Sequence, residues 1–103
     1  MTETQFEFVV PATHAALPGH FPGRPIVPGV VLLDEVLQAI ERTLQRPAAT
    51  LLQVKLLAAL LPDECARGTL RADGDRVGFV VEARRDGAAT PLASGSLRLA
   101  GTP

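Results

Sequence analysis

His20 and Asp34 are the side chains of this chain best placed to move protons. Both fall in one stretch, GHFPGRPIVPGVVLLDEVLQ, from Gly19 to Gln38. An imidazole exchanges a proton readily near neutral pH. Around it lie Pro11, Pro18, Pro22, Pro25 and Pro28. Each proline fixes its own φ and drives the preceding residue out of the α region. Such a loop is stiff and can hold a histidine in place; read alone, His20 fits a loop histidine bonded to backbone better than a base. Pro28 suits a helix entry, because its missing N–H would have no partner there. The N–H groups of Gly29 and Val30 are then donors at a positive helix end, suited to a developing negative charge. Gly29 has no side chain to block an approaching ligand, although a plain helix-entry glycine would look the same. Asp34 lies ~40° round the helix from Val30 at ~100° per residue, which places it at the edge of the apolar stripe. Glu35 falls nearly opposite that stripe and is expected in solvent, so Asp34 is the better candidate for an acid or a water-binding group. Donating a proton at neutral pH would require strong desolvation of its carboxyl; a surface or capping carboxylate is the plainer alternative. Gln38, one turn further on, either bonds Asp34 or is an ordinary helix residue.

The elements that must position these groups follow from periodicity. Residues 5–10 alternate, with Phe6, Phe8 and Val10 on one face, and read as a strand. The helix beginning at Pro28 carries Val30, Leu33, Leu37, Ile40 and Leu44 as its stripe, widened by Val36, is apolar all round in its first turns apart from Asp34 and Glu35, and is stopped by Pro47. That apolar start is expected to be wrapped by protein. The run TLLQVKLLAALL, residues 50–61, alternates enough to favour strand over helix. Pro62-Asp63-Glu64 reads as a turn, Cys65–Arg71 as a strand, and Ala72-Asp73-Gly74 as a second turn. Arg76–Arg84 alternates well, Asp86-Gly87 signals a hairpin, and Pro91–Leu99 is the last strand. Sequential strands with short turns pair antiparallel. One helix must then cover one face of the sheet, which gives an α+β fold: a single long helix wrapped by a curved antiparallel sheet of about five strands.

Composition narrows the function classes. At 103 residues, with 47% hydrophobic and 20% charged, the chain is expected to form one soluble domain over residues 1–103. Net charge is −1 and no Lys/Arg run exceeds Arg84-Arg85, which argues against a nucleic-acid partner. No stretch has the apolar length of a membrane span, and MTETQFEF shows no basic leader. Cys65 is the sole cysteine, so no internal disulfide forms and a cytoplasmic location is expected. His14 and His20 lack zinc-ligand spacing, and there is no P-loop, G-x-G-x-x-G or G-x-S-x-G. Neither a metal nor a cofactor is expected.

The Gly19–Gln38 stretch resembles the hot-dog fold dehydratases that act on 3-hydroxyacyl groups held on acyl carrier protein. Their pattern runs G-H-F-P-x-x-P, two hydrophobic residues, P-G, four variable residues, Glu or Asp, and a Gln one helical turn later. His20, Phe21, Pro22, Pro25, Pro28, Gly29, Asp34 and Gln38 all sit on it. Pro62-Asp63-Glu64 resembles the family's Pro-Gly-Asp turn, with Asp63 in place of the glycine. Asp34 matches the isomerising branch and Val30 the commoner branch, while the short chain is similar to small dehydratases of aryl-polyene type.

The resemblance implies a cofactor-free reaction in fatty acid biosynthesis. His20 would take the C2 proton of a (3R)-hydroxyacyl thioester, and the N–H groups of Gly29 and Val30 would stabilise the thioester oxygen, a contribution of ~3–4 kcal/mol. Asp34 would protonate the leaving hydroxyl with Gln38 in support, while Phe21 and Val27 line an acyl tunnel or serve as core. In that family the histidine and the acid of one site come from different subunits, so a homodimer or a higher oligomer of dimers is implied. Acidic carrier protein would be steered by basic residues; Arg24, Arg67, Arg71, Arg84 and Arg85 are candidates, with Arg84-Arg85 reading more simply as a solvated hairpin tip. A hot-dog thioesterase and a non-catalytic acyl-binding subunit are the alternatives.

Overall fold

The protein is described by a computed structural model over residues 2–13 and 26–101. In chain order the elements are β1 (Thr2–Val9), α1 (Gly29–Leu44), β2 (Ala48–Leu56), β3 (Cys65–Asp73), β4 (Arg76–Arg85) and β5 (Ala88–Leu99). The strands form one five-stranded sheet in the order β1-β3-β4-β5-β2, with every neighbouring pair antiparallel. This is the expected α+β layout.

Alternation decides which side of the sheet is covered. β4 buries Val77, Phe79, Val81 and Ala83 and turns Arg76, Val80 and Arg84 outward. β1 buries Phe6 and Phe8, and Val10 just beyond it is fully buried. The loop between β4 and β5 is Asp86-Gly87 with φ 53° and 78°. Both residues take positive φ, the geometry that matches the strand twist of a two-residue hairpin, and Arg85 pairs directly with Ala88. β5 starts earlier than expected, and Pro91 is accommodated at a register shift opposite Val81/Glu82, where a strand tolerates the missing N–H.

α1 lies on the covered face, but rotated from the expected stripe. Leu32, Val36, Ala39 and Ile40 are buried, Leu33, Leu37 and Leu44 pack beside them, and Val30 is 76% exposed. The first turns are apolar on every side, so periodicity alone could not select the packed face. The helix ends at Leu44: Gln45 takes the left-handed conformation at φ 57° and its N–H donates to the Glu41 carbonyl at 2.8 Å. That cap sits ahead of the expected stop at Pro47 and is a common helix ending. Glu41 also accepts from the Ala48 N–H at 2.7 Å, tying the helix end to the start of β2.

The expected apolar strand over 50–61 is divided. β2 ends at Leu56, and residues 57–64 form an irregular connection in which Leu60 makes an isolated antiparallel bridge to Val27. β2 is paired only to β5, through two register shifts, and most of its residues are exposed. Gly95 allows that pairing, because a Cβ there would collide with the Gln53 carbonyl.

Candidate active site

His20 and Phe21 lie outside the described residues, as do His14 and Arg24. Gly29, Val30, Asp34 and Gln38 are placed, and α1 brings them together. Pro28 holds φ −57° and ψ 143°, and its carbonyl accepts from the N–H groups of Val31 and Leu32 at 2.9 and 3.1 Å. The helix proper therefore opens at Gly29. The first N–H groups of an α-helix have no acceptor inside the helix, and among the described residues no side chain caps this end. Val30, Asp34 and Gln38 follow at i, i+4 and i+8 and are all exposed, forming one ridge on the outward side of α1. Gln38 Nε2 donates to Asp34 Oδ2 at 2.8 Å, and the exposed carboxylate keeps lone pairs for other partners.

The expected burial of the two acids is reversed: Asp34 is exposed and Glu35 is half-buried. The cause is the rotation of α1 described above. The wrapping expected around the helix start is not supplied by the described residues of this chain.

Beside the helix start lies an apolar groove of about 290 Å³, walled by Ile26–Gly29, Leu32 and Leu56–Ala59. Val27, only 2% exposed, is both core and wall of it. A Cβ at Gly29 would come within 2.7 Å of Leu56 Cδ1, so the bare glycine leaves room where β2 passes the helix end. A larger concavity, about 730 Å³, is elsewhere, on the uncovered face of the sheet among Lys55, Thr69, Arg71, Ser94 and Ser96. Of the described residues singled out from the sequence it holds Arg71, a candidate for steering carrier protein, whereas the groove at Gly29 adjoins the candidate acid–base chemistry.

Sequence reading missed two residues near this groove. Arg85 is no solvated hairpin tip: its Nε and Nη2 donate to Glu64 Oε2 and Oε1 at 2.8 and 2.6 Å, and Nη2 also donates to the Ala59 carbonyl at 2.6 Å. The guanidinium holds the Glu64 carboxyl below its ordinary value; burial opposes this and the Leu61 N–H reinforces it. Glu64 in turn keeps the guanidinium protonated more firmly than usual. No spacing rule pairs a turn residue with a hairpin tip, so no local signal pointed to the contact. Among the described residues no group of three or more His, Cys, Asp or Glu could hold a metal ion, and no helix is long and apolar enough to cross a membrane.

One long helix laid against a curved five-stranded antiparallel sheet, with an apolar groove at the helix N-terminus, defines a hot-dog protein. The chain belongs to the ApeI-like family, described as ApeI dehydratase, whose sequence model matches residues 1–96. Comparison with curated proteins gave no match. Similar solved structures include an uncharacterized protein from Erwinia carotovora subsp. atroseptica, 22% identical with a TM-score of 0.78, covering 95% of this chain and 82% of that one. The dehydratase heterocomplex ApeI:P from Xenorhabdus doucetiae is 20% identical at a TM-score of 0.74, over 94% and 86%. The fluoroacetyl-CoA thioesterase FlK is 21% identical at 0.65, over 96% and 84%. At these identities the likeness is one of fold.

Proposed function

We propose that this chain, read as a single hot-dog domain over residues 1–103, dehydrates (3R)-hydroxyacyl thioesters carried on acyl carrier protein. It works in the cytoplasm as a homodimer, or a higher oligomer of dimers, without a cofactor. His20 removes the C2 proton, and charge moving onto the thioester oxygen is met by the N–H groups of Gly29 and Val30. The C3–O bond then breaks, Asp34 of the partner subunit supplies the proton, and water leaves a trans-2-enoyl thioester. Phe21 and Val27 face the acyl chain.

The observation that carries this reading is the outward ridge of α1. Val30, Asp34 and Gln38 stand exposed directly past the uncapped helix start and beside an apolar groove. A bare valine next to a hydrogen-bonded carboxylate is half of an enclosed site, and β2, with Leu51, Leu52 and Leu56 all exposed, offers the edge along which a second subunit would complete it.

The test is hydration of an enoyl thioester followed with wild type, His20→Ala and Asp34→Asn. We expect each variant to lose about 10²–10⁴-fold in rate; an unchanged rate in His20→Ala would sink the assignment. The likeness to a thioesterase supports a second reading, in which solvent-exposed Asp34 activates water. Rapid release of free thiol with no enoyl product would favour it. A silent chain that co-purifies with a second hot-dog protein would instead favour the non-catalytic subunit.

A further inference from the structure

We propose that Arg85 and Glu64 are positioning residues for the site at the start of α1; this rests on the dehydratase reading above. Glu64 closes its own turn, accepting from the Leu61 N–H at 3.1 Å, while its N–H donates to the Leu61 carbonyl at 3.2 Å. Arg85, on the rim of the β4–β5 hairpin, grips both Glu64 oxygens and the Ala59 carbonyl at once. A bidentate guanidinium fixes direction as well as distance. Residues 59–64 are thereby fastened to the sheet. The neighbouring Leu60 is fully buried, and its carbonyl accepts from the Val27 N–H at 2.8 Å. Val27 immediately precedes Pro28, whose carbonyl opens α1. The ion pair thus sets where the helix start lies relative to the Ala58–Ala59 wall of the groove.

The same loop holds a second point. Asp63 Oδ1 accepts from the Ala12 N–H at 3.1 Å, and the Asp63 N–H donates to the Val10 carbonyl at 2.8 Å. Asp63 sits at φ 66°, a left-handed geometry that aspartate tolerates better than most residues. The chain entering residues 14–25 and the chain leaving them are therefore both tied to residues 60–63. The other cross-strand ion pairs, Glu3–Arg71 and Glu7–Arg67, are more exposed and lie on the uncovered face of the sheet. Among the ion pairs of the described residues, Arg85–Glu64 is the one that touches the groove wall.

The experiment compares steady-state enoyl-thioester hydration and amide hydrogen exchange in wild type, Arg85→Gln, Arg85→Lys, Glu64→Gln and Glu3→Gln. A displacement of the helix start of ~1 Å costs up to about 10²-fold in turnover. We expect Arg85→Gln and Glu64→Gln to lower kcat by roughly 10–100-fold with KM within about threefold, because the groove remains but its donors are misplaced. Arg85→Lys, which keeps the charge but loses the fork, should fall between, and Glu3→Gln, which breaks the exposed Glu3–Arg71 pair, should match wild type. In the same variants the Val27 amide should exchange at least ~10-fold faster, while β4 amides keep their protection. Unchanged kcat with unchanged Val27 protection overturns the proposal, as does a change confined to KM. If wild type shows no hydration at all, the dehydratase reading falls, and Val27 exchange still decides whether the pair holds the helix start.

Discussion

β1 and β2 both lie at the rim of the sheet, yet β1 buries Phe6 and Phe8 beneath the covered face while β2 leaves Leu51, Leu52 and Leu56 exposed. On its outer face β1 carries Glu3 and Glu7, which pair with Arg71 and Arg67 of β3. Its alternation is complete, and charge on an edge discourages pairing with another chain. β2 has the opposite character: exposed leucines, next to exposed Val30, Leu57 and Leu61. Among the described residues one edge ends in paired charge and the other in exposed leucines. The candidate site sits at the leucine edge, which is consistent with a site completed by a second subunit.

The sharpest way to separate the two edges is to remove an apolar side chain from each. Phe6 packs over Gly68, where any Cβ would collide with its ring, and lies 6.4 Å from the Phe8 ring. Phe6→Ala should cost about 3–4 kcal/mol in urea unfolding. A loss under about 1 kcal/mol would mean that β1 is not anchored as described. Leu51→Lys should act differently. We expect it to change the stability of the isolated chain little but to forfeit ~1.5–3 kcal/mol of buried leucine surface per subunit on association. Light scattering should show a dimer in wild type and a monomer in the variant; a dimeric Leu51→Lys protein would place the interface elsewhere.

The two edges also differ in how readily the sequence disclosed them. Strict alternation made Phe6, Phe8 and Val10 legible as a buried face, and it did the same for Val77, Phe79, Val81 and Ala83. Asp86-Gly87 announced its hairpin because few residues accept positive φ twice in succession. Pro28-Gly29 announced the helix start, and the arrangement of helix and sheet followed from the order of the elements. The packed face of α1 was legible only in part: Leu33, Val36, Leu37, Ile40 and Leu44 of the expected face pack on the core, whereas Val30 is exposed and buried Leu32 was not on it. Val30 is as apolar as Leu32, and only the sheet decides between them. The exchanged exposure of Asp34 and Glu35 follows from that one rotation. Nor was Arg85–Glu64 legible, since it joins a turn to a hairpin tip that only the folded sheet brings together.

That ion pair lies between the two edges and should yield a smaller, pH-dependent effect. The Glu64 carboxyl is held below its ordinary 4.5 by Arg85. A carboxylate depressed on folding contributes stability above its unfolded value, and that contribution is lost as pH falls through the folded value. Arg85 stays charged throughout and adds no slope in this range. With side chains 30% and 16% exposed for Arg85 and Glu64, the pair is only partly screened. Glu64→Gln should therefore be about 1–2 kcal/mol less stable than wild type near neutrality. The gap should be flat above about pH 5.5 and narrow below 4.5. A gap that widens on acidification would contradict the assigned pairing.

The smallest change in stability, and the most informative about the site, is expected at Gly29, where the leucine edge meets the helix start. Gly29 is not among the positive-φ residues, so alanine fits its backbone. Helix preference favours alanine by about 0.5–1 kcal/mol. Against this, the new Cβ would lie 2.7 Å from Leu56 Cδ1. Leu56 is 54% exposed, so that methyl can swing outward at modest cost. The urea midpoint of Gly29→Ala should therefore stay near that of wild type. The displaced methyl, however, moves across the groove mouth, and the new one stands beside the Gly29 and Val30 N–H groups. Turnover should drop by roughly 10²-fold, the scale of losing one donor to a developing oxyanion. If kcat is unchanged while the midpoint shifts, the thioester does not approach this end of α1. The bare glycine would then serve only the passage of β2 past the helix.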